Sequence, residues 1–398
     1  MNSNNKNNIL FICSNMGVGG FQKSLVSLLS CFDYKKYDVD LLLFDPSGIY
    51  MNLIPNEVHI VHTNVEPEYF YNCGSAVKCL IKRRKIIKAL FRMFTGIIGI
   101  FDKGFGALLM MSIVPPIKKE YDAAIDYNGQ HILYYLVNKI KSKRKISYFH
   151  NDYKKWDYYE KMDRKAYKEV DAIVTVSDEC VRSMKTIFPE YADKIFCIEN
   201  IVSDKTVNLY PVHSNVFKDN FDGIRLLTVG RVCKDKGFDY ACEALNYLID
   251  NSYKIKWYFV GPVTEKDFCN NVLKKYDVKG HIELLGVTDN PYDYMREADI
   301  IVQPSRIEGK SVAIEEAKIL NKPIVVTNFS TVKNQILDGR TGEVVGMSGK
   351  ELFEGIKKMI DNPQIMLDIV NNQKRLCRGN ESEVNKVYCL IENNCFDD

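Results

Sequence analysis

The chain has 398 residues, of which 46% are hydrophobic and 26% charged, and its formal net charge at pH 7 is +3. This length suits two domains of roughly 200 residues, and the composition is that of a globular protein with full hydrophobic cores. The net charge is too small to indicate binding to nucleic acid, and we expect no nucleic-acid partner.

The cysteines and the apolar runs indicate the compartment. The twelve cysteines are scattered, without a C-x-x-C pair or a Cys/His spacing typical of zinc. We therefore expect a reducing compartment, no disulfides and no metal site. The first eight residues, MNSNNKNN, lack the apolar core of a signal peptide, and no apolar run approaches the ~18–20 residues that a membrane span needs. These features predict a cytoplasmic protein.

The first half opens with a strand, a glycine-rich turn and a helix. The strand is predicted at Asn8–Ser14, the turn at residues 15–20 with Gly19 and Gly20, and the helix from Phe21. The turn lacks the spacing G-x-G-x-x-G, so a nucleotide-binding turn and a turn without a ligand remain equal interpretations. The near-continuous apolar strands that follow are typical of a parallel sheet. They are predicted at Tyr37–Phe44, Val58–Val61, Tyr121–Asp126, Lys145–His150, Asp171–Ser177 and Lys194–Ile201, with a helix at Asp178–Ile187.

Residues 78–94, KCLIKRRKIIKALFRMF, predict one basic amphipathic helix. The segment contains seven basic residues and no acid, and much of its apolar content falls on one helical face. Such a helix can lie on an anionic membrane surface, which would place the protein at the inner face of the cell membrane. Packing of the apolar face on the protein's own sheet is the equal alternative.

The position of His150 at the end of a strand, rather than its residue type, makes it a candidate site residue. It ends the strand predicted at Lys145–His150, and the carboxyl ends of parallel strands face the ligand crevice of such sheets. The side chain could therefore hydrogen-bond a reacting sugar or acceptor. A structural hydrogen bond is the more common role of a single histidine.

The second half repeats the strand–turn–helix pattern after a polar linker at residues 206–222. A strand at Ile224–Val229 leads into the turn GRVCKDKG at residues 230–237 and a helix at Phe238–Ile249. Arg231 and Lys236 leave the strand end together, near a helix N-terminus. Two cations so placed indicate a pyrophosphate site.

The run from Ala298 to Asn328 predicts a strand, a polar loop, a helix and a second strand. Gly309 lets the backbone approach a ligand closely, and Ser311 is expected to cap the helix. Glu308 and Glu316 could accept hydrogen bonds from neighbouring ligand hydroxyls, while the helix N-terminus offers N–H groups to an anion. Alternatively, both are exposed acids favoured by the helix dipole.

Two motifs follow one another in the second half: the turn from Gly230-Arg231 to Lys236-Gly237, and then Glu308 and Glu316 with seven residues between them. With these motifs the chain resembles the retaining GT-B glycosyltransferases of the glycosyltransferase 4 family. The segments 308–311 and 317–327 are similar to the versions in bacterial capsular and surface polysaccharide enzymes. The resemblance covers residues 223–346 and is looser over the N-terminal half. It implies an α/β protein of two Rossmann-like, doubly wound domains facing across a cleft, with the last helix crossing back to the first domain.

The resemblance also implies roles for residues. Arg231 and Lys236 would bind the donor diphosphate and stabilise the leaving group without a metal or cofactor. Glu308 would hold hydroxyls of the donor sugar, and Glu316 those of the ribose. In the N-terminal domain, His150 would lie beside the donor sugar, and Gly19 and Gly20 beside the reacting centre. In the second domain, Lys310, Ser311 and Val312 would contact the phosphates. Gly286 would lie near the base or sugar, and Gly309 is a further donor-binding residue in the loop that carries Glu308.

The expected domains are 1–205 for the acceptor, 206–222 as linker, 223–380 for the nucleotide sugar, and 381–398 as the returning helix. The expected function is transfer of a hexose-type sugar, with retention, from a nucleotide-diphosphate sugar to a saccharide or lipid-linked acceptor. Two alternatives share this architecture: a sugar-nucleotide 2-epimerase, and a non-catalytic scaffold of a polysaccharide assembly complex.

Overall fold

The chain divides into two compact units. The computed structural model describes residues 6–155, 159–208, 210–377 and 379–394. The first unit contains Met1–Gly17, Phe21–Asn200 and Ser382–Asp398, and the second contains Val18–Gly20 and Ile201–Glu381. Residues 395–398 of the predicted returning segment lie outside the described residues.

The first unit is built on a seven-stranded parallel sheet of order β3-β2-β1-β4-β5-β6-β7. The order reverses between β1 and β4, so this sheet is doubly wound. Its central strands are buried almost throughout, which explains their continuous apolar sequences. The strands are β1 Asn7–Cys13, β2 Tyr37–Leu43, β3 Val58–His62, β4 Tyr121–Asp126, β5 Ser142–Phe149, β6 Ala172–Thr175 and β7 Ile195–Cys197.

Eight helices accompany this sheet among the described residues: α1 Gly20–Ser30, α2 Cys73–Lys82, α3 Ile86–Phe101, α4 Lys103–Ser112, α5 His131–Lys139, α6 Glu160–Tyr167, α7 Asp178–Ile187 and α15 Glu383–Glu392. The last of them returns to the first unit, as the sequence predicts. Its Tyr388 stacks on Tyr37 with ring centroids 5.1 Å apart, and the Tyr388 hydroxyl accepts a hydrogen bond from the Asp33 amide at 2.7 Å.

The prediction of one helix over residues 78–94 is wrong, because the chain breaks between α2 and α3. Arg84 is left-handed, with φ +58°. The Lys85 amide donates to the Leu80 carbonyl at 2.9 Å, and the Arg84 amide donates to the Ile81 carbonyl at 2.9 Å. These two bonds form a Schellman motif, which satisfies the last carbonyls of α2 and ends the helix.

The second unit has a six-stranded parallel sheet of order β10-β9-β8-β11-β12-β13. Here the order reverses between β8 and β11. The strands are β8 Ile224–Val229, β9 Ile255–Val260, β10 Ile282–Gly286, β11 Ile300–Gln303, β12 Ile324–Thr327 and β13 Glu343–Val345. The helices are α8 Asp204–Asn208, α9 Phe238–Asp250, α10 Lys266–Lys275, α11 Pro291–Glu297, α12 Val312–Ile319, α13 Gly349–Asp361 and α14 Pro363–Leu376.

Two parallel, doubly wound sheets confirm the predicted α/β class. Each unit has its own hydrophobic core, formed by helices against the faces of its sheet. The predicted strands β4 and β8 and the predicted helix α7 have the bounds that the structure shows, whereas β13 was not predicted. Within the described residues, no helix combines the length and the apolar character needed to cross a membrane.

Candidate functional site

The candidate site of the second unit lies where the order of its sheet reverses. Strands β8 and β11 are neighbours, and their chains leave in opposite directions, to β9 and to β12. In open parallel sheets, ligands bind in the crevice outside the carboxyl ends of two such strands. The loops at this place are residues 230–237 after β8 and residues 304–311 after β11, and they carry both sequence signatures.

These two loops pack closely at Gly237. This residue is left-handed, with φ +69°, and forms the N-cap of α9. A Cβ atom added there would lie 1.8 Å from the carbonyl oxygen of Pro304, a distance that no side chain tolerates. Only glycine therefore allows both the turn and the close approach of the second loop.

Arg306 ties the loops a second time. Its guanidinium makes a bidentate ion pair with Asp239, with both N–O distances 2.7 Å, and donates to the Lys234 carbonyl at 2.6 Å. Its backbone amide donates to the Asp235 carbonyl at 2.8 Å, and its guanidinium carbon lies 3.7 Å from the centre of the Tyr240 ring. A bidentate pair of this kind fixes orientation as well as charge, so the two loops behave as one structural element.

Glu308 is the centre of a polar network formed by both loops. Its Oε1 accepts hydrogen bonds from Lys236 Nζ at 2.6 Å, Ser305 Oγ at 2.7 Å and Gln303 Nε2 at 3.0 Å. The residue is 8% exposed. All three donors converge on one oxygen, and no hydrogen bond from a described residue reaches Oε2. The carboxylate is therefore oriented and able to accept a further hydrogen bond from a ligand hydroxyl through Oε2.

Arg231 lies in the same loop as Lys236 but in a different environment. Its side chain is exposed and makes no ion pair with any described residue, whereas Lys236 is partly buried against Glu308. Gly230, just before it, has φ +153°, which re-aims the chain as it leaves β8. Lys236 is thus a fixed cation and Arg231 a cation in solvent, an arrangement that suits an anion at the end of β8.

The first turn of α12 is held by a residue that the sequence did not indicate. Ser311 is the N-cap of α12, but its side chain makes no capping hydrogen bond, contrary to the prediction. Gln335 instead holds both backbone groups of Ser311: the Ser311 amide donates to Gln335 Oε1, and Gln335 Nε2 donates to the Ser311 carbonyl, each at 2.8 Å. Lys310 and Val312 flank Ser311, and both are buried. The helix N-terminus is therefore rigid, with the Ser311 amide already engaged.

Glu316 lies inside α12 and is only 2% exposed. Its Oε1 accepts a hydrogen bond from the Tyr292 hydroxyl at 2.8 Å. An exposed acid favoured only by the helix dipole would not be buried and bonded in this way, so that interpretation fails for Glu316. It fails for Glu308 for the same reason.

Three strand-ending glycines line the same edge of the sheet. The Gly230 amide donates to the Val260 carbonyl at 2.9 Å, and the Gly261 amide donates to the Gly286 carbonyl at 2.7 Å. A Cβ on Gly261 would lie 1.9 Å from the Gly230 carbonyl oxygen. Gly286, with φ +74°, ends β10 at this edge. The predicted donor residue Gly286 thus sits two strands away from β8, on the β9 side.

His150 and the glycine turn follow strands of the other sheet, β5 and β1. His150 follows β5 and is 8% exposed. Its Nε2 lies 3.0 Å from the Tyr127 carbonyl and its Nδ1 lies 2.9 Å from Asn200 Oδ1, while Phe21 stacks on the ring. Both ring nitrogens are therefore engaged by the protein. Gly19 lies in the turn after β1, and Gly20 begins α1.

Burial lowers the pKa of His150 to about 4 and outweighs the hydrogen bonds to Asn200 Oδ1 and the Tyr127 carbonyl, which raise it. The unfolded chain, with an ordinary histidine pKa near ~6.5, takes up the proton first as the pH falls. We expect the stability advantage of wild type over His150→Gln to be complete above pH ~6.5 and to shrink by about 2–3 kcal/mol by pH ~4.5. Urea unfolding of both proteins across this pH range measures the difference between their free energies of unfolding. A difference that stays constant with pH would contradict a neutral, buried imidazole ring.

A metal site has no support among the described side chains. Within residues 6–155, 159–208, 210–377 and 379–394, no group of three or more His, Cys, Asp or Glu side chains is arranged to hold a metal ion. The β8 loop of the second unit carries three cations, and two of them, Arg231 and Lys236, are the ones assigned to the site. Any charge neutralisation argued for this site rests on them.

Sequence reasoning missed four residues of the site: Gln303, Ser305, Arg306 and Gln335. A signal existed for Gln303, because a polar residue at the end of a buried apolar strand needs a partner. Gln335 had no such signal, since it lies 24 residues from Ser311 in a region without regular pattern. The structure brings Lys236 and Glu308 together, and it adds Gln303 and Ser305 to them.

Comparison with known proteins identifies the domain that carries these loops. The family model described as glycosyl transferases group 1 matches residues 213–376. An uncharacterised glycosyltransferase of Methanocaldococcus jannaschii is 24% identical over 233 residues, which are 57% of this chain and 55% of that protein. The capsular polysaccharide biosynthesis glycosyltransferase CapM of Staphylococcus aureus is 24% identical over 149 residues, 37% of this chain and 39% of its own length. The chain thus matches about half or less of the length of these curated relatives.

The fold as a whole is similar to that of solved proteins. HepE of Anabaena, in a crystal structure with UDP-glucose, superposes with a TM-score of 0.69 over 98% of this chain and 99% of its own, at 15% identity. At this identity the likeness shows the fold alone, which is the GT-B fold of two Rossmann-like domains. Over residues 213–376, which include both signature loops, the chain carries a domain of the glycosyl transferases group 1 family.

Proposed function

We propose that this protein transfers a hexose-type sugar from a nucleotide-diphosphate sugar to a saccharide or lipid-linked acceptor, with retention of anomeric configuration, in the synthesis of a bacterial surface polysaccharide. One observation carries the proposal: Lys236 and Glu308, from the two loops at the reversal point of the second sheet, meet at 2.6 Å. A cation for phosphate and a carboxylate for hydroxyls are thus adjacent, as a sugar diphosphate requires.

The donor can be assigned to this site group by group. The diphosphate lies at Arg231, Lys236 and the first turn of α12, with Lys310 and Val312 beside it. Donor-sugar hydroxyls donate to Glu308, whose Oε1 is saturated by protein donors and whose Oε2 receives none from the described residues. The ribose hydroxyls reach Glu316, which Tyr292 orients.

The chemistry proposed at this site is electrostatic. The bond between the anomeric carbon and the phosphate oxygen breaks, and the nucleoside diphosphate leaves with the electron pair. The acceptor oxygen bonds to the anomeric carbon on the same face, and its proton passes to the departing phosphate. Arg231 and Lys236 stabilise the charge that develops on the leaving group, which is the role of a preorganised donor set and needs no metal. Glu308 and Glu316 hold hydroxyls, so the acid and nucleophile roles of glycosidases are not assigned to them.

The family model and the name of CapM support the reaction class and the polysaccharide context. His150 is proposed to stand beside the donor sugar, and Gly19 and Gly20 beside the reacting centre. Both His150 nitrogens are engaged by protein groups, so we propose that His150 acts by fixing Tyr127 and Asn200, not by proton transfer.

Binding and turnover test the proposal together. A panel of nucleoside diphosphates and nucleotide sugars should give one donor that raises the unfolding temperature, because a ligand stabilises the state that binds it. With that donor and a saccharide or lipid-linked acceptor, we expect nucleoside diphosphate release that EDTA does not inhibit, and a product with the donor's anomeric configuration by NMR. Absence of any nucleotide binding would refute the proposal, as would an epimerised donor formed without acceptor.

A further inference from the structure

Helix α3 reverses the usual arrangement of a surface helix, because it buries a charged side chain and exposes large apolar ones. Its buried face consists of Ala89, Arg92 and Thr95. The Arg92 guanidinium points inward and donates to the backbone carbonyls of Tyr69 and Tyr71, each at 3.1 Å. Surface helices normally bury the apolar stripe and expose the charges, so the opposite arrangement requires an explanation.

The outward side of α3 is aliphatic and aromatic. Six side chains share it along the whole helix, and we call them the α3 face: Ile87, Leu90, Phe94, Ile97, Ile100 and Phe101. Three of them, Ile87, Ile100 and Phe101, are 85%, 79% and 86% exposed. Of the 20 large hydrophobic residues exposed in the described parts of the chain, 11 fall within residues 81–113. Contiguous exposure on this scale marks an interaction surface.

The charged residues of the chain segment that contains the α3 face are all positive. No acid occurs from residue 69 to residue 101. Arg83, Lys85 and Lys88 pair with Glu68 and Glu66, on the protein side of the helix. Lys78, Lys82 and Arg84 make no ion pair with any described residue. Cations without protein partners, at one end of an apolar face, indicate an anionic and partly apolar partner.

We propose that the α3 face inserts into the headgroup and acyl boundary of an anionic lipid surface, with Lys78, Lys82 and Arg84 bound to the lipid phosphates. A second copy of this chain fits less well, because it would bring the same positive charge and no acid from this segment. The sequence pattern pointed to residues 78–94, whereas the structure moves the surface onto α3 and extends it to Phe101. This surface lies in the first unit and is separate from the proposed donor site.

Vesicle flotation of the full chain tests this. Vesicles of phosphatidylcholine alone are compared with vesicles containing about one-third phosphatidylglycerol. Wild type should float with the anionic vesicles. The variant Ile87→Gln/Ile100→Gln/Phe101→Gln should bind at least about tenfold more weakly, because its apolar insertion is lost. The matched control Val212→Gln/Leu337→Gln/Leu367→Gln makes the same change at exposed residues elsewhere and should bind as wild type.

The charge contribution is measured separately. Lys82→Gln/Arg84→Gln should weaken binding to anionic vesicles by about fivefold per cation, and added salt should reduce wild-type binding to the same level. Wild type that floats with neither vesicle, or an apolar variant that binds as wild type, would overturn the proposal. So would a dimer seen by ultracentrifugation and lost in the apolar variant, since the face would then cover a second copy. Calorimetric donor binding by the same proteins reports on the proposed transfer independently.

Discussion

Replacing Lys236 by methionine is expected to lower kcat for sugar transfer by about 10²- to 10³-fold, the usual effect of removing one donor that faces developing charge. Methionine keeps the unbranched length of the side chain, so the loop can stay in place. The Gln303 and Ser305 hydrogen bonds to Glu308 remain. The lost group is the single Nζ that contacts Glu308 at 2.6 Å and is proposed to contact the donor phosphate.

The neighbouring Lys234 provides the matched control. It lies in the same loop and is exposed, and its side chain makes no ion pair with any described residue. Lys234→Met should therefore leave kcat within about twofold, because an exposed charge contributes little to a partly buried site. Initial-rate kinetics with circular dichroism of both variants separates lost catalysis from lost folding. Equal kcat in Lys236→Met and wild type would remove Lys236 from the mechanism.

The parts of the fold that could be predicted from sequence are those in which local pattern and burial agree. β4 is a short, largely buried run that ends at Asp126, and β8 is a largely apolar run that leads into the turn at Gly230; both were predicted with their observed bounds. β13 was missed, because its three residues are only partly buried and carry no alternation. The break at Arg84 was missed because a helix usually ends in this left-handed motif at glycine. The hydrophobic pattern continues across it, so periodicity alone predicted one helix.

The site could be predicted as a set of loops but not as a set of contacts. Lys236 and Glu308 are 72 residues apart, and nothing local indicates that they meet. Their contact depends on β8 and β11 being neighbours, which is a property of the sheet order. The hydrogen bonds from Gln303 and Ser305 to Glu308 are local by contrast, spanning 5 and 3 residues of the chain. For Glu316 the sequence left two interpretations open, an acid that binds ligand hydroxyls and a solvated acid favoured by the helix dipole. An acid that is 2% exposed and hydrogen-bonded to a tyrosine is not a solvated helix acid.

Gly237→Ala is expected to destabilise the second unit by about 2–4 kcal/mol and to lower kcat as well. The left-handed backbone at φ +69° costs an alanine ~1–2 kcal/mol by itself. The new methyl group would also overlap the Pro304 carbonyl, so the two signature loops must move apart. Since Lys236 and Glu308 lie on opposite sides of this contact, their ion pair lengthens, and an error of about 1 Å in such a site can cost ~10²-fold in rate.

The variant Gly339→Ala separates the cost of the left-handed backbone from the cost of the overlap with Pro304. Gly339 has nearly the same backbone conformation, φ +66°, but a Cβ atom there meets nothing within 4 Å. Gly339→Ala therefore carries the backbone strain without the overlap and should cost only about 1 kcal/mol, with kcat unchanged. Urea midpoints give the stabilities, and hydrogen exchange of residues 230–240 reports local opening of the β8 loop. If the two glycine variants are equally stable and equally active, the contact between Gly237 and Pro304 does not hold the site together, and the ion pair must be positioned by Arg306 and Asp239 alone.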